Sequence, residues 1–172
     1  DSSVTGVQTC ALPIFGPLDL TPVDQGSTIA VDRDGRLLRA FTTADGRWRL
    51  PVSTADVDPR FLEMLLAYED RRFHEHHGVD ARALARAAWQ LASTGHVVSG
   101  GSTLTMQVAR LLEPRDQRDS AAKLRQILRA NELEQRFDKT LILDLYFALA
   151  PYGGNLEGIR AASLAYFGKE PK

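Results

Sequence analysis

The chain has 172 residues, of which 44% are hydrophobic and 25% charged, with 21 Lys plus Arg against 22 Asp plus Glu. This composition excludes mostly disordered, collagenous and coiled-coil proteins, and the near-neutral net charge argues against a general nucleic-acid binder. The length suits one sizeable hydrophobic core, and the single cysteine, Cys10, excludes an internal disulfide and a cysteine-based zinc site.

Residues 1–15 fit no regular element, because their apolar residues follow neither the two-residue period of a strand nor the 3.6-residue period of a helix. They resemble a translated sequencing adapter, so we expect them to be non-native or disordered. The sequence starts without Met and shows neither a signal peptide nor an apolar run of transmembrane length. We therefore expect a fragment of a longer protein.

Residues 16–57 are predicted to form a small antiparallel β segment. Strands are expected at 28–31, 37–41 and 47–50, with turns at Asp34 and Gly35 and at 44–46. The Asp-Gly pair favours a hairpin because glycine accepts the positive φ that such a turn needs. Three short strands are marginal alone, so we expect this segment to pack on another part of the protein.

From residue 58 onward the apolar residues recur at helical spacing, which predicts a mainly α domain over residues 58–172. Four of the predicted helices begin at a polar residue that can cap their free N–H groups. The predicted N-caps are Asp58, Ser102 or Thr103, Asp119 or Ser120, and Asp138, and a further helix is expected to start near Asp80 and to end near Gly95. The last helix is expected from about residue 156 to residue 167.

Glu69, at the end of an apolar helix, is the first candidate catalytic residue. A carboxylate held against an apolar wall is a useful general base near neutral pH. The alternative is a structural carboxylate that pairs with Arg71 or Arg72. The histidines at positions 74, 76 and 77 lack the spacing and the further ligands of a zinc site, which favours a solvated or hydrogen-bonded turn.

The stretch 99–107 places two glycines before Ser and Thr at a predicted helix start. Free N–H groups and hydroxyls beside the positive end of a helix suit an anion. An ordinary N-cap explains the same pattern at least as well, and the spacing is not that of a P-loop.

A run of cations follows within 20 residues. Its members are Arg110, Arg115, Arg118, Lys123, Arg125 and Arg129. Such a patch suits a phosphate or pyrophosphate, and the alternative is a solvated helix face. Ser120 and Lys123 also match the SxxK nucleophile pattern, but the sequence lacks the SDN-like and KTG-like elements that this chemistry needs, so we interpret the match as chance.

Taken in this order, the three segments resemble the glycosyltransferase domain of class A penicillin-binding proteins, the family that polymerises lipid II into glycan strands. The first family motif, EDxxFxxHxG, is matched by Glu69, Asp70, Phe73, His76 and Gly78. The second, GGSTxTxQ, is matched by Gly100, Gly101, Ser102, Thr103, Thr105 and Gln107. Residues 136–146 and 158–169 are similar to two later motifs. The resemblance covers about residues 28–172, and the sequences of the motifs look most like those of the 1C type. It implies a mainly α, lysozyme-like fold.

The resemblance implies a role for each matched position. Glu69 would deprotonate the 4-hydroxyl of the acceptor sugar, which attacks the anomeric carbon of the donor with inversion and releases undecaprenyl diphosphate. The cations that would stabilise this leaving group are Arg110, Arg118 and Lys123. The residues that would line the cleft are Ser102, Thr103 and Gln107. The supporting residues would be Asp70, Phe73, His76, Gly78, Gly100 and Gly101.

The resemblance also implies partners and a location. The expected partners are lipid II, the growing glycan strand, the membrane surface and a downstream transpeptidase domain, but no nucleic acid. The expected location of the protein is the periplasmic face of the bacterial inner membrane. The one cofactor that the resemblance implies is an Mg or Mn ion at the diphosphate. Residues 85–98, with Trp89, would form a membrane-facing jaw because their Ala, Leu and Trp content suits an interfacial segment, and a plain core helix is the alternative.

Two positions depart from the family pattern. Gln126 stands at the position of the family's second catalytic Glu, where it can orient or hydrogen-bond but cannot ionise. Ala148 replaces the Asn of the YLN triplet. These departures keep a non-catalytic lipid II-binding module open as an alternative. A lytic peptidoglycan hydrolase is the other alternative, and it would need a general acid to protonate a sugar leaving group.

Overall fold

The computed structural model describes residues 16–96, 101–113 and 120–172. The expectations for residues 1–15, Gly100, Arg115, Arg118 and Asp119 lie outside these ranges. The helices are α1 (Thr21–Asp24), α2 (Pro59–Glu69), α3 (Ala81–Thr94), α4 (Leu104–Leu112), α5 (Ser120–Arg136), α6 (Lys139–Leu149) and α7 (Ile159–Phe167), with a 3₁₀ turn at Thr54–Asp56. The strands are β1 (Ile29–Val31), β2 (Leu37–Ala40), β3 (Trp48–Arg49), β4 (Pro151–Gly153) and β5 (Leu156–Glu157). None of the helices in these ranges is both long enough and apolar enough to cross a bilayer.

Local capping starts the helices where the sequence predicts. The carboxylates of Asp58, Asp80 and Asp138 accept backbone N–H groups in the first turns of α2, α3 and α6. Of the two candidates for α4, Thr103 is the cap, because its hydroxyl accepts the N–H of Met106 at 3.1 Å. Such caps contribute about 1 kcal/mol each, so these helix starts are properties of the local sequence.

The hydrophobic core is centred on α4 and α6. α4 packs against both α5 and α6, and Leu104 and Val108 on α4 are fully buried, as are Ile142 and Phe147 on α6. Phe73, from the loop after α2, is buried in the same cluster. Burial of a large apolar side chain contributes roughly 1.5–3 kcal/mol, so this packing holds the loop after α2 against α4.

The residues before the first strand pack on the helices. Leu18 is buried in the core, with Leu20 and Val23 packed against it, and α1 contacts α6. The buried guanidinium of Arg129 on α5 donates to the carbonyl of Gly16 at 3.1 Å. Residues 16–24 therefore share one core with the helical part of the chain.

The β structure differs from the predicted three-stranded antiparallel sheet. β1 and β2 form the expected antiparallel hairpin, but β3 pairs in parallel with β5, and β5 pairs antiparallel with β4. A buried ion pair links these two strands, in which Nε of Arg49 on β3 donates to Oε2 of Glu157 on β5 at 2.9 Å. Because these partners are 108 residues apart, a local sequence period could not predict the pairing of the third strand.

The last helix also begins later than predicted. Residues 156–157 belong to β5, and α7 begins at Ile159. The intervening Gly158 has a φ of +82°, and a Cβ atom there would lie 2.8 Å from the carbonyl oxygen of Ala148. Only glycine fits this turn, which separates the strand from the helix.

Candidate active site

Glu69 is the last residue of α2 and is half-buried beside α4. Its Oε2 accepts a hydrogen bond from Nε2 of Gln107 at 3.0 Å. Arg72, one of the predicted alternative partners, binds Asp80 instead, with Nε donating to Oδ2 at 3.1 Å. The carboxylate of Glu69 is therefore oriented by an amide rather than neutralised by Arg72.

Asp70 joins the loop after α2 to the start of α4. Its buried carboxylate contacts Nε2 of His76 at 2.9 Å and accepts the backbone N–H of Leu104 at 2.9 Å. Thr103 adds a second link, since its hydroxyl donates to the carbonyl of Gly78 at 2.6 Å. These bonds bring the two matched motifs together in one site.

The N-terminus of α4 is capped by groups of the protein itself. The N–H of Leu104 binds Asp70, and the N–H of Met106 binds the hydroxyl of Thr103. A carboxylate is the kind of group that a helix N-terminus favours. Of the two interpretations of residues 99–107, these two bonds support the ordinary cap for the described part of that stretch.

Two glycines of the matched motifs allow close approach between backbone and helices. A Cβ atom at Gly78, where φ is +82°, would lie 2.6 Å from the carbonyl oxygen of Ala130 on α5. A Cβ atom at Gly101 would lie 3.1 Å from Cδ2 of Leu84 on α3. Larger residues would push the loop after α2 and the start of α4 away from these helices.

A buried ion cluster supports the site from the α6 side. Lys139 donates to the carbonyl of His76 at 2.7 Å and to Oε1 of Glu134 at 2.6 Å. The same oxygen of Glu134 accepts the hydroxyl of Thr105 on α4 at 2.7 Å. The ammonium of Lys139 also lies 4.3 Å from the centroid of the Phe73 ring, a cation–π contact. Sequence reasoning missed this cluster, although the similarity of residues 136–146 to a family motif was an available signal.

Lys123 and Arg110 form the cationic side of the site. Nζ of Lys123 donates to Oγ of Ser102 at 2.8 Å. Burial, together with the charge of Arg110, lowers the pKa of Lys123. Arg110 is exposed in the last turn of α4. These two cations repel each other, and the hydroxyl of Ser102 carries no charge to offset them. Binding of an anion beside them would therefore lower the electrostatic energy of the site.

Tyr146 on α6 is a half-buried phenol on which two charges of the site act. Burial and the charge of Glu69 raise the pKa of Tyr146, and the charge of Arg110 partly opposes this rise. Tyr146 was not singled out from the sequence, although the YLN resemblance contained it.

Arg129, one member of the predicted basic run, lies in the interior and does not join the cationic side of the site. Arg129 is buried, and its guanidinium contacts Glu113 at 2.7 Å and Glu132 at 2.6 Å. It therefore stabilises the interior. Gln126 is half-buried on α5, and Ala148 packs against the core.

An open cleft of about 980 Å³ lies beside Glu69. One wall, formed by the start of α4, contributes Ser102, Thr103 and Gln107. The second wall, formed by the loop after α2 and by α3, contributes Arg71, Arg72, Arg82 and Arg86. This second wall was not predicted from the sequence. In the described ranges, no three side chains of His, Cys, Asp or Glu are grouped so that they could hold a metal ion.

The chain is similar to known proteins over most of its length. Residues 34–172 match the family model described as Transglycosylase. Penicillin-binding protein 1C of Escherichia coli (strain K12) is 52% identical over 155 residues, which are 90% of this chain and 20% of the relative. Penicillin-binding protein 1A of Pseudomonas aeruginosa is 40% identical over 139 residues, which are 81% of this chain and 16% of the relative. Penicillin-binding protein 1F of Bacillus subtilis (strain 168) is 34% identical over 146 residues, which are 85% of this chain and 20% of the relative.

This chain thus spans no more than one fifth of the length of these three relatives. The mainly α, lysozyme-like fold expected from the resemblance is confirmed by the helices and the family match. On these grounds the chain belongs to the transglycosylase family of class A penicillin-binding proteins.

Proposed function

We propose that this chain is a peptidoglycan glycosyltransferase that polymerises lipid II into β-1,4-linked glycan strands. The observation that carries the proposal is the carboxylate of Glu69, held by Gln107 at a cleft that Ser102 also lines. Ser102 in turn binds Lys123, which lies near Arg110. A base at the cleft and a pair of cations next to Ser102 suit a reaction that removes a proton and releases a diphosphate.

In this mechanism Glu69 accepts the proton of the acceptor's 4-hydroxyl. The hydroxyl oxygen bonds to the anomeric carbon of the donor while the bond from that carbon to the diphosphate breaks, so an α linkage becomes β. The electron pair of the broken bond leaves with undecaprenyl diphosphate. Lys123 and Arg110 offset its negative charge, and we expect Arg118 to join them.

Because Gln126 stands where the family has its second catalytic Glu, Glu69 is the carboxylate that we assign to proton transfer. An amide can orient a hydroxyl but cannot take its proton at neutral pH. A lytic hydrolase uses a second carboxyl group as its general acid. The amide of Gln126 and the cations at the cleft therefore both favour synthesis over cleavage.

An Mg or Mn ion at the diphosphate stays a prediction. Three of the four carboxylates that line the cleft, those of Glu69, Asp70 and Asp80, already accept hydrogen bonds within the protein. The described residues contain no three side chains of His, Cys, Asp or Glu grouped to hold a metal ion, so the predicted ion would have to bind mainly through the diphosphate of the substrate. Lys123 and Arg110 are the groups of the chain itself that we assign to this charge.

We further propose that α3 contacts the lipid surface at the periplasmic face of the inner membrane. Trp89 and Leu91 on this helix are 73% and 54% exposed, and exposed aromatic and aliphatic side chains suit an interfacial segment. Only Ala83 of α3 is buried, which argues against a plain core helix. Lipid II, the growing strand and a transpeptidase domain of the full-length protein are the proposed partners.

The experiment that tests the function compares Glu69→Gln with Glu63→Gln in a lipid II polymerisation assay. Both carboxylates are on α2, but Glu63 is exposed and lies outside the cleft lining. We expect Glu69→Gln to lower the polymerisation rate by about 10²–10⁴-fold, and Glu63→Gln to retain the wild-type rate.

Three other results would contradict parts of this proposal. Undiminished polymerisation by Glu69→Gln would remove Glu69 from its role as base. Glycan cleavage by the wild-type chain would favour the hydrolase. Lipid II binding without turnover would favour the non-catalytic module.

A further inference from the structure

We propose that Lys139, together with Glu134, is a positioning residue that sets the geometry of Glu69 without touching the substrate. The inference rests on the proposed function, because it concerns the base assigned there. Lys139 is the first residue of α6, and the side chains of Lys139 and Glu134 are 21% and 5% exposed. Neither residue lines the cleft, so any effect on the reaction has to pass through the groups that they bind.

The ammonium group of Lys139 binds two parts of the chain that carry the site. Nζ donates to the carbonyl of His76 at 2.7 Å and lies 4.3 Å from the centroid of the Phe73 ring, and both residues belong to the loop after α2. Nζ also donates to Oε1 of Glu134 at 2.6 Å, and this oxygen accepts the hydroxyl of Thr105 on α4 at 2.7 Å. The pair therefore connects the loop after α2 to α4.

The first connection reaches the backbone beside Glu69. Nε2 of His76 lies 2.9 Å from Oδ1 of Asp70, the residue directly after Glu69. Oδ2 of Asp70 accepts the N–H of Leu104, at the start of α4, at 2.9 Å. The side chains of His76 and Asp70 are 8% and 3% exposed. Because close-packed interiors transmit strain, a displaced His76 would displace Asp70 as well.

The second connection reaches the carboxylate of Glu69. Thr105 is fully buried on α4, and Gln107 follows two residues later on the same helix. Nε2 of Gln107 donates to Oε2 of Glu69 at 3.0 Å. The position of α4 therefore decides where this amide meets the carboxylate, and Glu134 holds α4 through Thr105.

A base acts only when it is aligned with the proton that it removes. Proton transfer requires hydrogen-bond reach between the two groups, and a displacement of about 1 Å can lower a rate by about 10²-fold. Thr103 on α4 and Gly78 form a further link between the same two parts of the chain. Loss of the pair should therefore shift the base by less than this distance and slow the reaction without abolishing it.

The test replaces both members of the pair in the double variant Lys139→Met/Glu134→Gln, because removal of one would leave the other buried without its counter-charge. In a lipid II polymerisation assay we expect kcat to fall about tenfold, with the KM within about twofold of wild type. The control Glu157→Gln breaks a buried pair elsewhere, that with Arg49, and should keep the wild-type kcat. Thermal unfolding identifies the temperatures at which each variant is folded.

A second measurement distinguishes positioning from a general loss of structure. Gln107→Met removes the amide that holds Glu69. On this background the double variant should lower kcat only about twofold, because both changes act on one alignment. On the Lys123→Met background the fall should stay about tenfold, since Lys123 binds Ser102 instead.

Nuclear magnetic resonance reports the same alignment without turnover. The chemical shift of the side-chain amide nitrogen of Gln107 depends on its hydrogen bond to Glu69. We expect this signal to move in Glu69→Gln and in the double variant, and to stay in place in Glu157→Gln.

Four results overturn the inference. They are a kcat within about twofold of wild type in the folded double variant, a rise in KM with kcat unchanged, an equal fall in kcat on all three backgrounds, and an unmoved Gln107 signal in the double variant. Failure of the wild-type chain to polymerise lipid II overturns the proposed function instead, and the Gln107 signal then still decides whether the pair positions Glu69.

Discussion

Two cations of this protein have opposite surroundings. Arg49, between β3 and β5, is 7% exposed, and its guanidinium binds Glu157 and the carbonyl of Gln25. Lys123, on α5, donates to the neutral hydroxyl of Ser102, which lines the cleft, and lies near a second cation, Arg110. A cation paired with a carboxylate holds two parts of the chain together. A cation beside another cation lowers the stability of the fold until an anion binds. The comparison therefore distinguishes a cation with a structural role, Arg49, from one with a functional role, Lys123.

The largest expected effect is on the structural side of this comparison. Glu157→Gln leaves the guanidinium of Arg49 buried without its carboxylate, and we expect the free energy of unfolding to fall by about 3–5 kcal/mol. Denaturant-induced unfolding measures the change. Glu170→Gln is the matched control, because its partner Arg160 is bound at the surface, where such a pair contributes about 0–1 kcal/mol. An equal decrease in the free energy of unfolding in the two variants would contradict the structural role of the pair between Arg49 and Glu157.

Lys123→Met is expected to lower activity while leaving the stability of the fold intact. The rate of polymerisation should fall by about 10²–10³-fold, because one of the groups that stabilises the leaving diphosphate is lost. The free energy of unfolding should stay equal or rise, since burial and Arg110 disfavour the charged lysine. Lys169→Met, at an exposed position, controls for the loss of one positive charge. A large loss of stability in Lys123→Met would show that this lysine is structural after all.

A smaller effect is expected from the cluster that connects α4 to the loop after α2. Thr105→Val keeps the shape of the side chain but removes the hydrogen bond to Glu134. We expect the free energy of unfolding to fall by about 1–3 kcal/mol, because the buried carboxylate loses a donor. Thr94→Val, which removes a hydroxyl at the exposed end of α3, is the control. No change in Thr105→Val would mean that Lys139 alone satisfies Glu134.

The smallest effect concerns pH. The pKa of Lys123 is lowered from 10.5 in the folded protein, so the unfolded chain binds more protons in the window just below that value. Stability should therefore rise with pH there, whereas activity should fall as the ammonium loses its proton. In Lys123→Arg the alkaline limb of the rate should move to higher pH, because arginine stays protonated. Rate and unfolding measured across the same pH series would show the opposite slopes, and parallel slopes would contradict them.

Sequence reasoning succeeded where the cause lies within a turn of chain. Asp58 and Asp138 cap the first turns that follow them, as predicted, and α3 starts directly after Asp80 and ends at Gly95. Each of these depends on hydrogen bonds over a few residues, which the local pattern contains. The candidate base, Glu69, was also identified from the sequence, through its place at the end of an apolar helix and its motif.

Sequence reasoning failed where the partner is distant. β3 was expected to pair with β2, but it pairs with β5, where Arg49 binds Glu157. Sequence reasoning left Arg72 open as a partner of Glu69, whereas that arginine binds Asp80. Arg129 was grouped with the cations of the site, although Glu113 and Glu132 hold it in the interior. In each case several partners were chemically possible, and packing selected one.

The composition and the 172-residue length by themselves indicated a folded domain with one core, and the order of the motifs indicated its family. Only the tertiary structure decided which charges are paired in the interior and which lie near the cleft. The physical reason is that burial makes an unpaired charge costly, so the fold pairs Arg49 and Arg129 with carboxylates inside. It leaves Lys123 beside Ser102 and Arg110 in the last turn of α4, where we propose that the substrate diphosphate completes the pairing.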